Sequence, residues 1–97
     1  MSSYEAVRRL QKFQRVYCYG SKYSWKKTSL MMRSYADTLI SILIEKIEEY
    51  PEEDPIVIIK FLQSDIEDLM CMSENERTRT FCSHMMEIYK EILKRII

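Results

Sequence analysis

One glycine and two prolines interrupt 97 residues, and this scarcity of turn formers constrains the fold more than any motif. An all-β chain of this length needs many turns, whereas a few long helices need only two or three connections. The chain therefore reads as all-α. Its 46% hydrophobic and 31% charged residues are those of a globular protein. A domain of this size buries about 65% of the surface its unfolded chain exposes, enough for one core.

Periodicity divides the chain into four amphipathic segments, with helices expected over about 3–17, 24–49, 55–71 and 74–95. In the first, Val7, Leu10, Phe13 and Tyr17 share one side, while Arg8, Lys12 and Arg15 line the other. Gly20 can take positive φ and is expected to end it. The second presents a wide apolar arc: Met32, Tyr35, Ala36, Leu39, Ile40, Leu43, Ile44 and Ile47. Only Ser34, Asp37, Ser41, Glu45 and Glu48 are left for water. Such a helix belongs at the centre of a domain or in an oligomer interface.

"YPEEDP" at 50–55 breaks the pattern, and Asp54 before Pro55 predicts an N-cap followed by proline in the first turn. The third segment has Ile58, Ile59, Leu62, Ile66, Leu69 and Met70 toward the core. Val57 and Phe61 point away among polar residues. Ser73 and Glu76 have the spacing of a capping box for the fourth. There Phe81, Cys82, Met85, Met86, Ile88, Tyr89, Ile92, Leu93 and Ile96 cover nearly half the circumference, and Lys90, Lys94 and Arg95 suit the negative end of the dipole.

Short connections favour a small four-helix bundle-like domain formed by all 97 residues. The first helix is its weakest element, with packing across the end of a three-helix core as the alternative. Helices two and four carry an apolar surplus for so short a chain, so completion by a homodimer is expected.

The net charge of zero conceals two opposed halves. Residues 1–33 hold eight Lys/Arg and one Asp/Glu, about +7; residues 34–97 hold seven and fourteen, about −7. The segment "RLQKFQRVYCYGSKYSWKK" at 9–27 concentrates six cations and five aromatic rings without an acid. Cations neutralise phosphates and release counterions, and aromatic faces stack on unpaired bases. Arg8, Arg9, Lys12, Arg15, Lys22, Lys26 and Lys27 are thus candidates for charge, and Tyr19, Tyr23 and Trp25 for contact area. Loss of Lys26 and Lys27 together is expected to weaken binding and flatten its salt dependence. The opposing reading docks the same residues on the protein's own acidic half.

No helix-turn-helix supports duplex reading, because the segment after Gly20 turns acidic and apolar beyond Arg33. A single strand or an acidic protein surface fits better. Val57 and Phe61 offer a second contact: they either cover a neighbouring helix end or anchor a protein partner.

Catalysis, metal and cofactor binding are not expected. Cys82 and His84 project about 200° apart on a helix, too far to grip one ion or form a catalytic pair. Cys82 should be core and His84 rim. The acidic 48–54 loop lacks the alternating oxygens and central glycine of a calcium site. Seven methionines suit adaptable core filling. The longest apolar runs are short, such as those at 56–59 and 69–72, and together with 42–44 fall far short of a membrane span. Three cysteines without a paired spacing, and no signal core at the start, lead to an expected cytoplasmic location.

In size and composition the chain resembles short helical proteins of phages and mobile elements, some of which inhibit nucleic-acid-handling enzymes. That resemblance implies an alternative function as an inhibitor or adaptor.

Overall fold

The computed structural model describes residues 1–19 and 30–97. They form four helices: α1 (Ser3–Tyr19), α2 (Leu30–Glu49), α3 (Pro55–Met72) and α4 (Glu76–Ile96), with no strand among the described residues. The expected end of the first helix at Gly20 and the start of the second at about residue 24 lie outside the described residues. Within them α1 runs two residues beyond the expected 17, which brings Cys18 into the core.

Local chemistry accounts for the helix starts. Ser2 caps α1, its Oγ accepting from Glu5 N at 3.1 Å and its carbonyl from Ala6 N at 3.0 Å. Asp54 caps α3 as expected, accepting from Ile56 N at 2.9 Å with Pro55 next in the first turn. The start of α4 differs from expectation. Asn75, not Ser73, is its cap, and its Oδ1 accepts from both Arg77 N (2.9 Å) and Thr78 N (3.3 Å). Ser73 is already used at the other end of the connection: its N–H closes α3 on Leu69 O, and its Oγ accepts from Asn75 N. A three-residue link leaves room for one residue to end a helix and another to begin the next.

α1 and α2 run antiparallel, since Ser3 Oγ donates to Pro51 O (3.1 Å) while Gln14 reaches Asp37 and Ser41 further along. α1 therefore packs along the bundle and not across its end. α2 and α4 meet across the short diagonal, where the Tyr35 ring stands edge-on to Phe81 at 5.1 Å and 87°. α1 and α3 occupy the two far corners. The Cα envelope is correspondingly flat, 37 × 34 × 18 Å.

A single apolar core joins α1 (Ala6, Leu10, Phe13, Tyr17) to α2 (Ala36, Leu39, Ile40, Leu43, Ile47) and α4 (Met85, Ile88, Tyr89, Ile92, Ile96). Most of the wide arcs of α2 and α4 is covered within one chain, while Tyr35, Ile44, Phe81, Met86 and Leu93 stay half-buried and Ile42 is exposed. The surplus sits elsewhere. Of the six core positions expected on α3, only Ile59 is fully buried; Ile58, Leu62, Ile66 and Met70 are half-buried, and Leu69 is exposed. α3 is a corner helix covered by α4 and one side of α2, so Ile56, Ile58, Leu62 and Ile66 pack against the core while keeping part of their surface open, and Val57, Phe61, Leu69 and Met72 are exposed.

Candidate functional site

α1 divides cleanly. Its inner side is core, and its outer side carries Tyr4, Arg8, Lys12, Arg15 and Tyr19, all exposed. Successive spacings of four, four, three and four residues keep these five within about 80° of helix circumference and spread them over about 22 Å. Arg8, Lys12 and Arg15 form no ion pair among the described residues. No acid shares the stripe, because Glu5 on its flank is held by Arg9 at 2.8 Å.

Arg9 has a different role from the one expected. Its Nη1 donates to Ile96 O at 2.7 Å and its Nη2 to Glu5, so the guanidinium closes the C-terminal end of α4 against α1. Arg95 joins it there, 5.5 Å from the Phe13 ring centroid and 3.0 Å from Glu91. Together Arg9, Lys12, Phe13, Val16 and Arg95 line a concavity of about 370 Å³ between α1 and α4. Two of its three cations are held by carboxylates, Arg9 by Glu5 and Arg95 by Glu91, and Lys12 is outside any ion pair among the described residues. From its neighbours in sequence Arg95 is expected only to suit its own helix dipole, because nothing local indicates that α4 ends beside the middle of α1.

Tyr19 keeps 70% of its surface exposed while its hydroxyl donates to Asp37 Oδ2 at 2.9 Å. Gln14 Nε2 donates to the other oxygen of the same carboxylate at 2.6 Å and to Ser41 Oγ at 3.1 Å. Asp37 and Ser41, expected to face only water, thus fasten α2 to α1. The hydrogen bond to Asp37 holds the Tyr19 phenol above its usual pKa. Neighbouring Cys18 is pushed up to about 11, chiefly by burial and further by Asp37, with Arg33 opposing. A thiol so biased toward its neutral form is a poor nucleophile.

Lys22, Tyr23, Trp25, Lys26 and Lys27, the remaining candidates of the basic segment, lie outside the described residues. Val57 and Phe61 are 56% and 66% exposed. With Tyr50 and Leu62 they line a groove of about 430 Å³ between the end of α2 and α3, with Lys46 and Glu53 at its edges.

Cys82 is buried and His84 half-buried at the rim of α4, as the helix geometry requires. Among the described residues no three His, Cys, Asp or Glu side chains are placed to share a metal ion, and no helix is long and apolar enough to cross a membrane. The three cysteines are unpaired, Cys71 exposed and the other two buried. Compared with known proteins, the chain matches no family model, no curated protein and no solved structure.

Proposed function

We propose that the chain is a non-enzymatic helical binding module that holds the outer face of α1 toward an anionic partner, a nucleic-acid backbone or an acidic protein surface. It acts in a reducing compartment such as the cytoplasm, and in association with further copies of itself. The observation that carries this reading is the α1 stripe. Arg8, Lys12 and Arg15 are exposed on one arc with no ion pair among the described residues. A charge satisfied by its own fold would have an acid within reach. The next ten residues in sequence after α1 add Lys22, Lys26 and Lys27 and no acid.

The test is titration of the protein with a labelled single-stranded oligonucleotide, and separately with an acidic peptide, at low and high salt. Changing Lys12→Ala with Arg15→Ala weakens binding and lowers its salt slope, by about one phosphate contact per lost cation if nucleic acid is the partner. Lys26→Ala with Lys27→Ala does the same. Unchanged affinity and slope in both variants contradict the reading.

A second reading rests on exposed Val57 and Phe61 and their groove. An exposed apolar anchor edged by Lys46 and Glu53 suits a protein contact, as in an inhibitor or adaptor that binds a nucleic-acid-handling enzyme. Inhibition of such an enzyme that is lost with Phe61→Ala and kept with Lys12→Ala and Arg15→Ala selects it over the first.

A further inference from the structure

The outer face of α3 repeats the layout of α1 with the opposite charge. Val57, Phe61, Asp65, Asp68 and Met72 are separated by four, four, three and four residues, the same spacings as Tyr4, Arg8, Lys12, Arg15 and Tyr19. All ten are exposed. Both stripes are apolar or aromatic at their ends, with Tyr4 74% and Met72 81% exposed. The α1 stripe holds three cations and the α3 stripe two carboxylates. Lys60 and Glu67, the other charges near this face, lie together on one flank of α3, about 60–80° from Val57 by the helical repeat.

We propose that a second copy of this chain docks its α1 stripe on the α3 stripe of the first. This deepens the proposed function and rests on it, the anionic partner of α1 being the acidic helix of another copy. α1 runs antiparallel to α2, and the short 50–54 and 73–75 connections return the chain each time, so α1 and α3 point the same way. Copies placed side by side without inversion then bring the stripes together in register. Lys12 faces Asp65 and Arg15 faces Asp68. Tyr4 meets Val57, Tyr19 meets Met72, and the Arg8 guanidinium covers the Phe61 ring. The same docking partly covers the groove beside Phe61.

Position in the bundle determines the symmetry. α1 and α3 occupy opposite far corners, so their outer faces look away from each other. A copy that uses its α1 on one neighbour still offers its α3 to another, and the contact is head-to-tail. It extends as an open chain and does not stop at a two-fold dimer. One helix face on another falls at the low end of interface size, below about 1,200 Å² in total, so the association is weak and steeply dependent on salt and concentration.

The experiment is sedimentation equilibrium of the full chain without any added partner. It spans concentrations to about 1 mM, at low salt and at about 0.5 M salt, where the Debye length has shrunk to about 4 Å. Two charge reversals accompany it: Lys12→Glu with Arg15→Glu, and Asp65→Lys with Asp68→Lys. All four sites are exposed, and circular dichroism checks that each variant keeps its helices.

The expected mass of the unaltered chain climbs from 11.8 kDa past two copies at low salt and returns to the monomer at high salt. Each reversed variant stays monomeric alone, having two faces of like sign. Their equimolar mixture reassembles, because each face again meets its opposite. An unaltered chain that stays monomeric throughout overturns the inference, as does a mass that levels off at two copies. Reversed variants that associate alone, or that fail to reassemble when mixed, also overturn it. A monomeric chain that still binds an oligonucleotide through Lys12 and Arg15 removes this inference and self-association with it, and leaves the anion-binding role of α1 standing. Self-association and oligonucleotide binding that both survive Lys12→Glu with Arg15→Glu remove both.

Discussion

The Tyr19 hydroxyl donates to Asp37 Oδ2 at 2.9 Å, so the last residue of α1 is anchored to α2 while its ring stays open to solvent. That one contact turns an exposed aromatic into a fixed one, whose orientation is set before any partner arrives. Preorganisation of this kind lowers the ordering cost of binding.

Because the hydrogen bond is the leading cause of the raised Tyr19 pKa, Asp37→Asn should return this phenol toward the ordinary tyrosine value. Ultraviolet titration of the unaltered chain and the variant checks this. A Tyr19 titration that does not move shows that the ring is not held by Asp37.

The cap of α4 discriminates between two neighbouring residues. Asn75→Ala leaves the amides of Arg77 and Thr78 without their acceptor and should cost about 0.5–2 kcal/mol, a fall in melting temperature of about 4–8 °C per kcal/mol for a domain of this length. Ser73→Ala removes one hydrogen bond within the connection and should cost less. Thermal melts of both variants decide, and the reverse order would restore Ser73 as the cap.

That example shows how sequence legibility divides. The number of helices, the Asp54–Pro55 start and the inner sides of α1, α2 and α4 were readable, because each depends on residues adjacent in the chain or one turn apart. The roles of Asp37, Arg9 and Arg95 were not. Each depends on which helix lies alongside at which height: Asp37 beside Gln14, and Arg9 and Arg95 where α4 ends against α1. The α3 core face is narrower than its periodicity suggests, for the same reason. Periodicity identifies an apolar side, but how much of it is covered depends on whether the helix sits at the centre or at a corner. The outward placement of Val57 and Phe61 was legible. The match of their stripe to that of α1 lay in the sequence too, and it became meaningful only when the two helices were found at opposite corners.

Thiol reactivity should follow burial. At neutral pH one equivalent, Cys71, reacts quickly with a disulfide reagent, while buried Cys18 and Cys82 wait for unfolding. Burial and Asp37 add a second barrier at Cys18 by holding its pKa near 11. A reagent titration in native buffer and in denaturant reads one and then three equivalents. Two fast equivalents in native buffer contradict the placement of one buried thiol.

Stability at high pH is tied to Tyr89, whose phenol is pushed up to about 12 by burial, with a smaller contribution from Asp65. In the unfolded chain a tyrosine loses its proton near pH 10. Above that pH the unfolded state binds fewer protons than the native one. Stability is therefore full below about pH 10 and is lost as pH rises toward 12. Tyr89→Phe should make the decline over this range shallower in urea-unfolding series. An unchanged slope would show that Tyr89 is not the group responsible.

The central claim is that the cations on the outer face of α1 serve a partner and not the fold. The most direct measurement is the urea-unfolding stability of Arg8→Ala, Lys12→Ala, Arg15→Ala combined in one chain, at a dilution where the protein is monomeric. Exposed side chains outside any ion pair change stability by about 0.5 kcal/mol or less each, and alanine favours the helix. The account predicts a midpoint that is unchanged or raised, with loss of both self-association and binding to anionic partners. A loss of more than about 2 kcal/mol in the monomer would place these charges in the service of the protein's own acidic half and contradict the account.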